Sequence, residues 1–184
     1  MNKKLIIFIP IILAIVILSG IYIAYNNIAT AHYNAAFNFL NSYYSKDNYN
    51  ILEKLADEMS SEGITDTFEA LFQEKYNDLL TKEAYEHLAA NRIILEPEQI
   101  VKDFDCSLEL ISVDIQKESK TVEGNHVYSY NARINVTLPN KEYKNFIETG
   151  TIEFFKEDNQ WKVNRLNINK GNLYNSIEKF ISIP

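Results

Sequence analysis

The sequence predicts an α+β fold in which helices pack on a bent antiparallel sheet, carried on an N-terminal membrane helix. Three observations predict it. An uncharged apolar run extends from Leu5 to Tyr25, apolar residues then recur at helical spacing to about residue 92, and from Ser107 the apolar period changes to two.

The apolar run, LIIFIPIILAIVILSGIYIAY, is 21 residues long, enough to cross a hydrocarbon core of roughly 30 Å as a helix. Pro10 falls in its first turns, where a missing amide hydrogen is least costly, and Tyr22 and Tyr25 fall where interfacial tyrosines anchor a span. Lys3 and Lys4 precede the span and the next charge is Lys46, so the positive-inside rule keeps the N-terminus cytoplasmic and exports the chain beyond the span. Residues 1–4 form the cytoplasmic tail, 5–25 the span and 26–184 the extracytoplasmic domain. Ala29-Thr30-Ala31 offers a signal-peptide cleavage pattern after Ala31, but the apolar run exceeds the core of a signal peptide, which favours an anchor. No cysteine lies near the span to receive lipid.

Beyond the span, Ala36, Phe39, Leu40, Tyr43 and Tyr44 continue at helical spacing without a Gly/Pro/Ser linker. Tyr49, Leu52, Leu55, Ala56 and Met59 mark a second helix. A third opens at Asp66 with Glu69 as a capping box and carries Phe68, Leu71, Phe72, Tyr76, Leu79 and Leu80. Thr81 caps a short fourth helix with Tyr85 and Leu88 that ends near Asn91, and Pro97 forbids its continuation.

The strands occupy about 106–169. Leu108 and Leu110 precede Ile111, Val113 and Ile115 with a change of parity between 110 and 111, the mark of a β-bulge. Glu123-Gly124-Asn125 turns the chain. Tyr128, Tyr130, Ala132, Ile134, Val136 and Leu138 then alternate up to Pro139-Asn140. A third strand from about Asn145 to Phe155 carries Phe146, Ile152 and Phe154. Glu157-Asp158-Asn159-Gln160 turns it into Trp161-Lys162-Val163, and parity changes again before Leu166 and Ile168. Leu173, Ile177, Phe180 and Ile181 predict a C-terminal helix over about 172–182.

The stretch from Gly150 to Val163, GTIEFFKEDNQWKV, resembles the last hairpin of the nuclear transport factor 2-like superfamily: apolar alternation, an acidic turn, then Trp-Lys-apolar. The Leu79-Leu80-Thr81 step into a short helix and the long strands after it are similar too, so the resemblance covers about residues 32–170. It implies a cone of helices wrapped by a sheet, and it implies no single activity, because this fold hosts isomerases, dehydratases, transport factors and assembly modules. An anchor with a short tail before such a domain also resembles the bitopic scaffolds of conjugation and type IV secretion machines and small surface proteins of Gram-positive bacteria.

Enzymes of this superfamily place an Asp or His at the open end of the cone beside a Tyr or second acid. His126 and Tyr128 on the long strand, Glu109 and Asp114 on the first strand, and Tyr43 on the first helix are the residues that could take such roles. Alternating polar residues on an antiparallel sheet otherwise face water. His32, His87 and His126 are scattered without metal-ligand spacing, and there is no phosphate-cradling glycine loop or nucleophile motif. Cys106, the single cysteine, can form no intramolecular disulfide and reads as a small buried hydrophobe. Asn135-Val136-Thr137 matches a glycosylation acceptor but falls within a strand, and Trp161 reads as core.

The formal net charge is −7, and with Lys3 and Lys4 set aside the remainder is −9 (−7 minus +2). Basic residues interleave with acids throughout, which argues against nucleic acid as a partner. The sequence therefore assigns no catalytic, cofactor-binding or metal residue and implies no cofactor. Its expected partners are the lipid bilayer through residues 5–25 and another protein or a second copy of itself, in a non-catalytic assembly module at the cell membrane. The alternative is a small-ligand-binding or isomerase/dehydratase-like domain that uses the interior of the cone.

Overall fold

The computed structural model describes residues 3–45, 70, 72–120, 125–168 and 171–182, excluding the side chains of residues 3–15, 119 and 120. The chain divides into two compact units, Met1–Asn34 and Ala35–Pro184. Helix α1 spans Lys3–Tyr43. Within the first unit, residues 16–30 of α1 are exposed all round, and Ser19 donates its hydroxyl to the Val16 carbonyl at 2.9 Å, satisfying it within the helix. Among the described residues no helix is long and apolar enough to cross a membrane; the first half of the apolar run, residues 5–15, has its side chains outside them.

The second unit is α+β: helices and a four-stranded antiparallel sheet. Helix α2 (Lys82–Ala90) is followed by a 3-10 turn (Ile93–Leu95), α3 (Glu96–Phe104), strands β1 (Ser107–Lys120), β2 (His126–Thr137), β3 (Tyr143–Glu157) and β4 (Gln160–Ile168), and helix α4 (Asn172–Ile181). The strands form a meander in the order β1-β2-β3-β4.

Residue chemistry sets the turns. Asp158 and Asn159 both take positive φ (48° and 65°) between β3 and β4, the requirement of a two-residue type I′ hairpin. Between β2 and β3 the Lys141 amide closes a turn on the Leu138 carbonyl at 2.9 Å, and Lys141 itself is left-handed at φ 67°.

Both parity changes in the sequence are bulges. On β1 the register with β2 shifts between Leu110 and Ser112, leaving Ile111 unpaired and 48% exposed. On β4, Glu153 pairs with Arg165 and Phe154 with Val163, so Asn164 is the extra residue. A further shift between Lys117 and Ser119 has no counterpart in the apolar pattern, because the residues around it are polar.

The helical half departs from the sequence reading in two places. Residues 72–76 are helical, but 77–79 turn, and Leu80 forms a parallel bridge with Val163 instead of extending the helix. The Thr81 amide and the Leu79 carbonyl both bond Val163 at 2.9 Å, so these residues satisfy the outer side of β4. The second departure is α3, which the sequence reading stopped short of at about residue 92. Pro97 lies in its first turn, where proline starts a helix as readily as it ends the one before. The predicted second helix and the opening of the third, within 46–69, lie outside the described residues, as does most of the 123–125 turn.

One core joins helices and sheet. Phe39, Leu40, Tyr43 and Tyr44 pack with Phe72, Tyr76, Leu88, Ile94 and Ile100 against Leu108, Tyr130, Ile134, Ile152, Phe154 and Val163, all buried, and Leu173 and Ile177 join them from α4. Gly150 marks the tightest point. A Cβ there would meet the Asn167 carbonyl and come within 2.8 Å of the Tyr130 ring. Gly150→Ala is therefore expected to destabilise the domain by about 2 kcal/mol through overpacking, measured by urea denaturation; an unchanged midpoint would show that Tyr130 and β4 yield freely.

Candidate functional site

The sheet places an acid where its apolar alternation demands a hydrophobe. Glu148 shares the inward parity of Phe146 and Ile152 on β3 and is 2% exposed. Tyr44, directly after α1, donates its hydroxyl to Glu148 Oε2. Burial raises the Glu148 carboxyl, the Tyr44 hydrogen bond lowers it and Glu96 raises it, leaving it at about 7. Burial likewise drives the Tyr43, Tyr44 and Tyr130 phenols well above their ordinary range, with Glu148 adding to each.

Tyr43 donates to the Ile93 carbonyl at 2.7 Å, and Glu96 Oε1 accepts the Gly171 amide at 2.6 Å. The 3-10 turn and α3 are thus held between α1 and the start of α4. Glu98, on α3, is fully buried, and among the described residues no hydrogen bond reaches either of its oxygens. Burial pushes it up to about 8 against the opposing pull of Lys75. Two acids that hold protons near neutrality can store and release them, but the rings of Tyr43, Tyr44, Tyr76 and Tyr130, all fully buried, fill the space around them. Tyr43 and Tyr44 meet edge-on at 4.8 Å and Phe39 stacks on Tyr43 at 5.7 Å.

A second constellation forms where α2 meets the β4 bulge. Thr81 caps α2 by accepting the Ala84 amide at 3.2 Å, and its hydroxyl donates to Asn164 Oδ1 at 3.0 Å. Asn164 Nδ2 and Asn125 Nδ2 each donate to Glu153 Oε1 at 3.1 Å. Glu153 is 4% exposed and forms part of the wall of a cleft of about 350 Å³ between α2 and strands β3 and β4. Glu83, His87 and Arg165 stand at its rim, over a floor that includes Ala84, Leu88, Ile152 and Leu166.

The residues singled out from sequence are not brought together. Glu109 and Asp114 are exposed on β1, opposite Asn135 and Asn131. His126 is half-buried at the start of β2, Tyr128 is buried edge-on to Phe154 at 5.6 Å, and Tyr43 is core. His32 lies on α1 and His87 on α2. Among the described residues no group of three or more His, Cys, Asp or Glu could hold a metal ion. Cys106 is buried and its thiol is pushed up to about 11, chiefly by burial. Trp161 is half-buried against the core. Glu148 was detectable, since an acid at an inward strand position is itself the signal; Glu98 and Glu153 had no such marker.

These features define the second unit as an α+β domain with a meander sheet and buried carboxylates. No family model and no curated protein matches the chain.

Glu148 and Glu98 hold their protons to higher pH when folded, so the folded state binds more protons than the unfolded one between about pH 4.5 and their raised values of about 7 and 8. Their contribution to stability is greatest below that window and is lost as pH rises through it. Glu148→Gln is expected to remove on the order of 3 kcal/mol of this decline, read from denaturation midpoints between about pH 5 and 8; an identical slope in the variant would show that Glu148 titrates normally. Tyr44→Phe leaves the buried carboxyl without its donor and is expected to cost about 1–3 kcal/mol, whereas a neutral result would mean that water replaces the phenol.

Proposed function

We propose that the chain is a single-pass membrane protein whose domain, from residue 26 onward, is a nuclear transport factor 2-like cone working outside the cytoplasm as a non-catalytic interaction module. The observation that carries the anchor is the bare apolar surface of α1: Val16, Leu18, Ile21, Tyr22 and Tyr25 are 60%, 65%, 61%, 66% and 59% exposed. So large an unrelieved apolar surface needs lipid or protein around it. Together with residues 5–15 it completes the 21-residue uncharged run, the length of a span. An antiparallel sheet packed on helices, with Trp161 near the start of its last strand, supports the cone.

The packed tyrosine interior favours binding on the outside of the domain over chemistry within it. On the outer face of the sheet Ile147, 61% exposed, lies directly across from Arg133, which pairs with Ser112 beside the bulged Ile111. Apolar residues around an arginine are characteristic of interface centres. The protein partner, or a second copy of the chain, docks on this face.

The isomerase-like alternative rests on Glu148, a buried acid near neutrality beside a phenol, and gains only if an activity is found that Glu148→Gln abolishes and His87→Ala leaves intact.

The full chain is expected to stay in the membrane pellet after an alkaline wash, with its domain cleaved by protease added outside intact cells. Recovery in the supernatant would sink the anchor. Ile147→Asp is expected to abolish chemical cross-links formed by the native chain in membranes; cross-links of equal yield would remove the outer face from the docking surface.

A further inference from the structure

The cleft beside α2 is lined by none of the residues used above for the anchor, the docking surface or the tyrosine interior. We propose that it is a binding site for a small organic ammonium with an apolar body, the ammonium donating to Glu153.

One oxygen of the Glu153 carboxylate is held by the protein and the other is open to the cleft. Both amides that reach it, from Asn125 and Asn164, bond Oε1, and among the described residues no hydrogen bond reaches Oε2. A cationic donor makes a stronger bond to such an oxygen than a neutral donor does. Arg165 stands directly across the ladder from Glu153 and makes no ion pair with it. Glu83 at the rim offsets the positive charge that Arg165 places there.

The rest of the cleft fits an apolar body. Ala84 and Leu88, one turn apart on α2, and Ile152 and Leu166 from the sheet are among its lining residues, and a volume of about 350 Å³ lies at the small end of the range for ligand pockets. The site is also held in place. Thr81 ties the first turn of α2 to Asn164, and Asn164 ties the bulge to Glu153, so helix, bulge and carboxylate form one hydrogen-bonded chain. Such preformed support limits the ordering cost of binding.

The test uses the full chain in mild detergent, with phenethylamine as probe and phenethyl alcohol and 3-phenylpropionate as its neutral and anionic counterparts, followed by NMR. Phenethylamine is expected to give saturable shifts at residues 83–88 and 164–167, with the other two at least tenfold weaker. Glu153→Gln should reduce its affinity at least tenfold, and Glu86→Gln, on the same helix outside the cleft, should leave it unchanged. Should Glu153→Gln fail to fold, Glu83→Arg at the exposed rim carries the test and should weaken the amine several-fold. Equal binding of all three probes, no saturable shift up to about 10 mM, or full affinity in a folded Glu153→Gln chain would overturn the proposal.

Discussion

Tyr44 and Glu148 bond across the centre of the domain, one from the end of α1 and the other from the middle of β3. A carboxyl placed there without a donor would be among the costliest groups in the core. Its partner is the residue that directly follows α1, which ties the register of β3 to the end of that helix. Tyr43 extends the tie to the 3-10 turn, and Glu96 extends it to the start of α4. The helices and the sheet therefore share polar contacts as well as an apolar interface. Apolar contact tolerates small slides, whereas these directional bonds do not.

The sheet manages its edges with irregularity. β1, an outer strand, carries two register shifts, and such shifts twist a strand away from pairing with another chain. β4, the other outer strand, is occupied at Val163 by Leu79 and Thr81, and its bulged Asn164 turns a side chain toward Glu153. The same extra residue that bends β4 thus orders the wall of the α2 cleft. Fold and candidate site are built from one local device.

Much of this architecture is legible in the residues themselves. The period-two alternation of Tyr128 to Val136 marks β2 with its inward face buried, and the parity changes near Leu110 and before Leu166 mark bulges because side-chain direction in a strand is tied to residue count. Asp158-Asn159 marks a turn because those residues accept left-handed backbone. Where Leu79 and Leu80 stood at helical spacing, the backbone of Val163 offered a better partner than another helical turn, and nothing in the local sequence records that competition. Pro97 was ambiguous in principle, since the same ring stops one helix and starts the next.

The candidate sites were far less legible. Local pattern alone determined the apolar run of α1, the passage from helices to strands and the positions of two bulges, because each depends on neighbours within a few residues. Only the tertiary structure decided that Tyr44 meets Glu148 and that Asn125, Asn164 and Thr81 converge around Glu153. It also decided that Glu109 and Asp114 remain in water. A carboxylate's role depends on what surrounds it in space, and the groups around these acids come from elements as many as 104 residues apart.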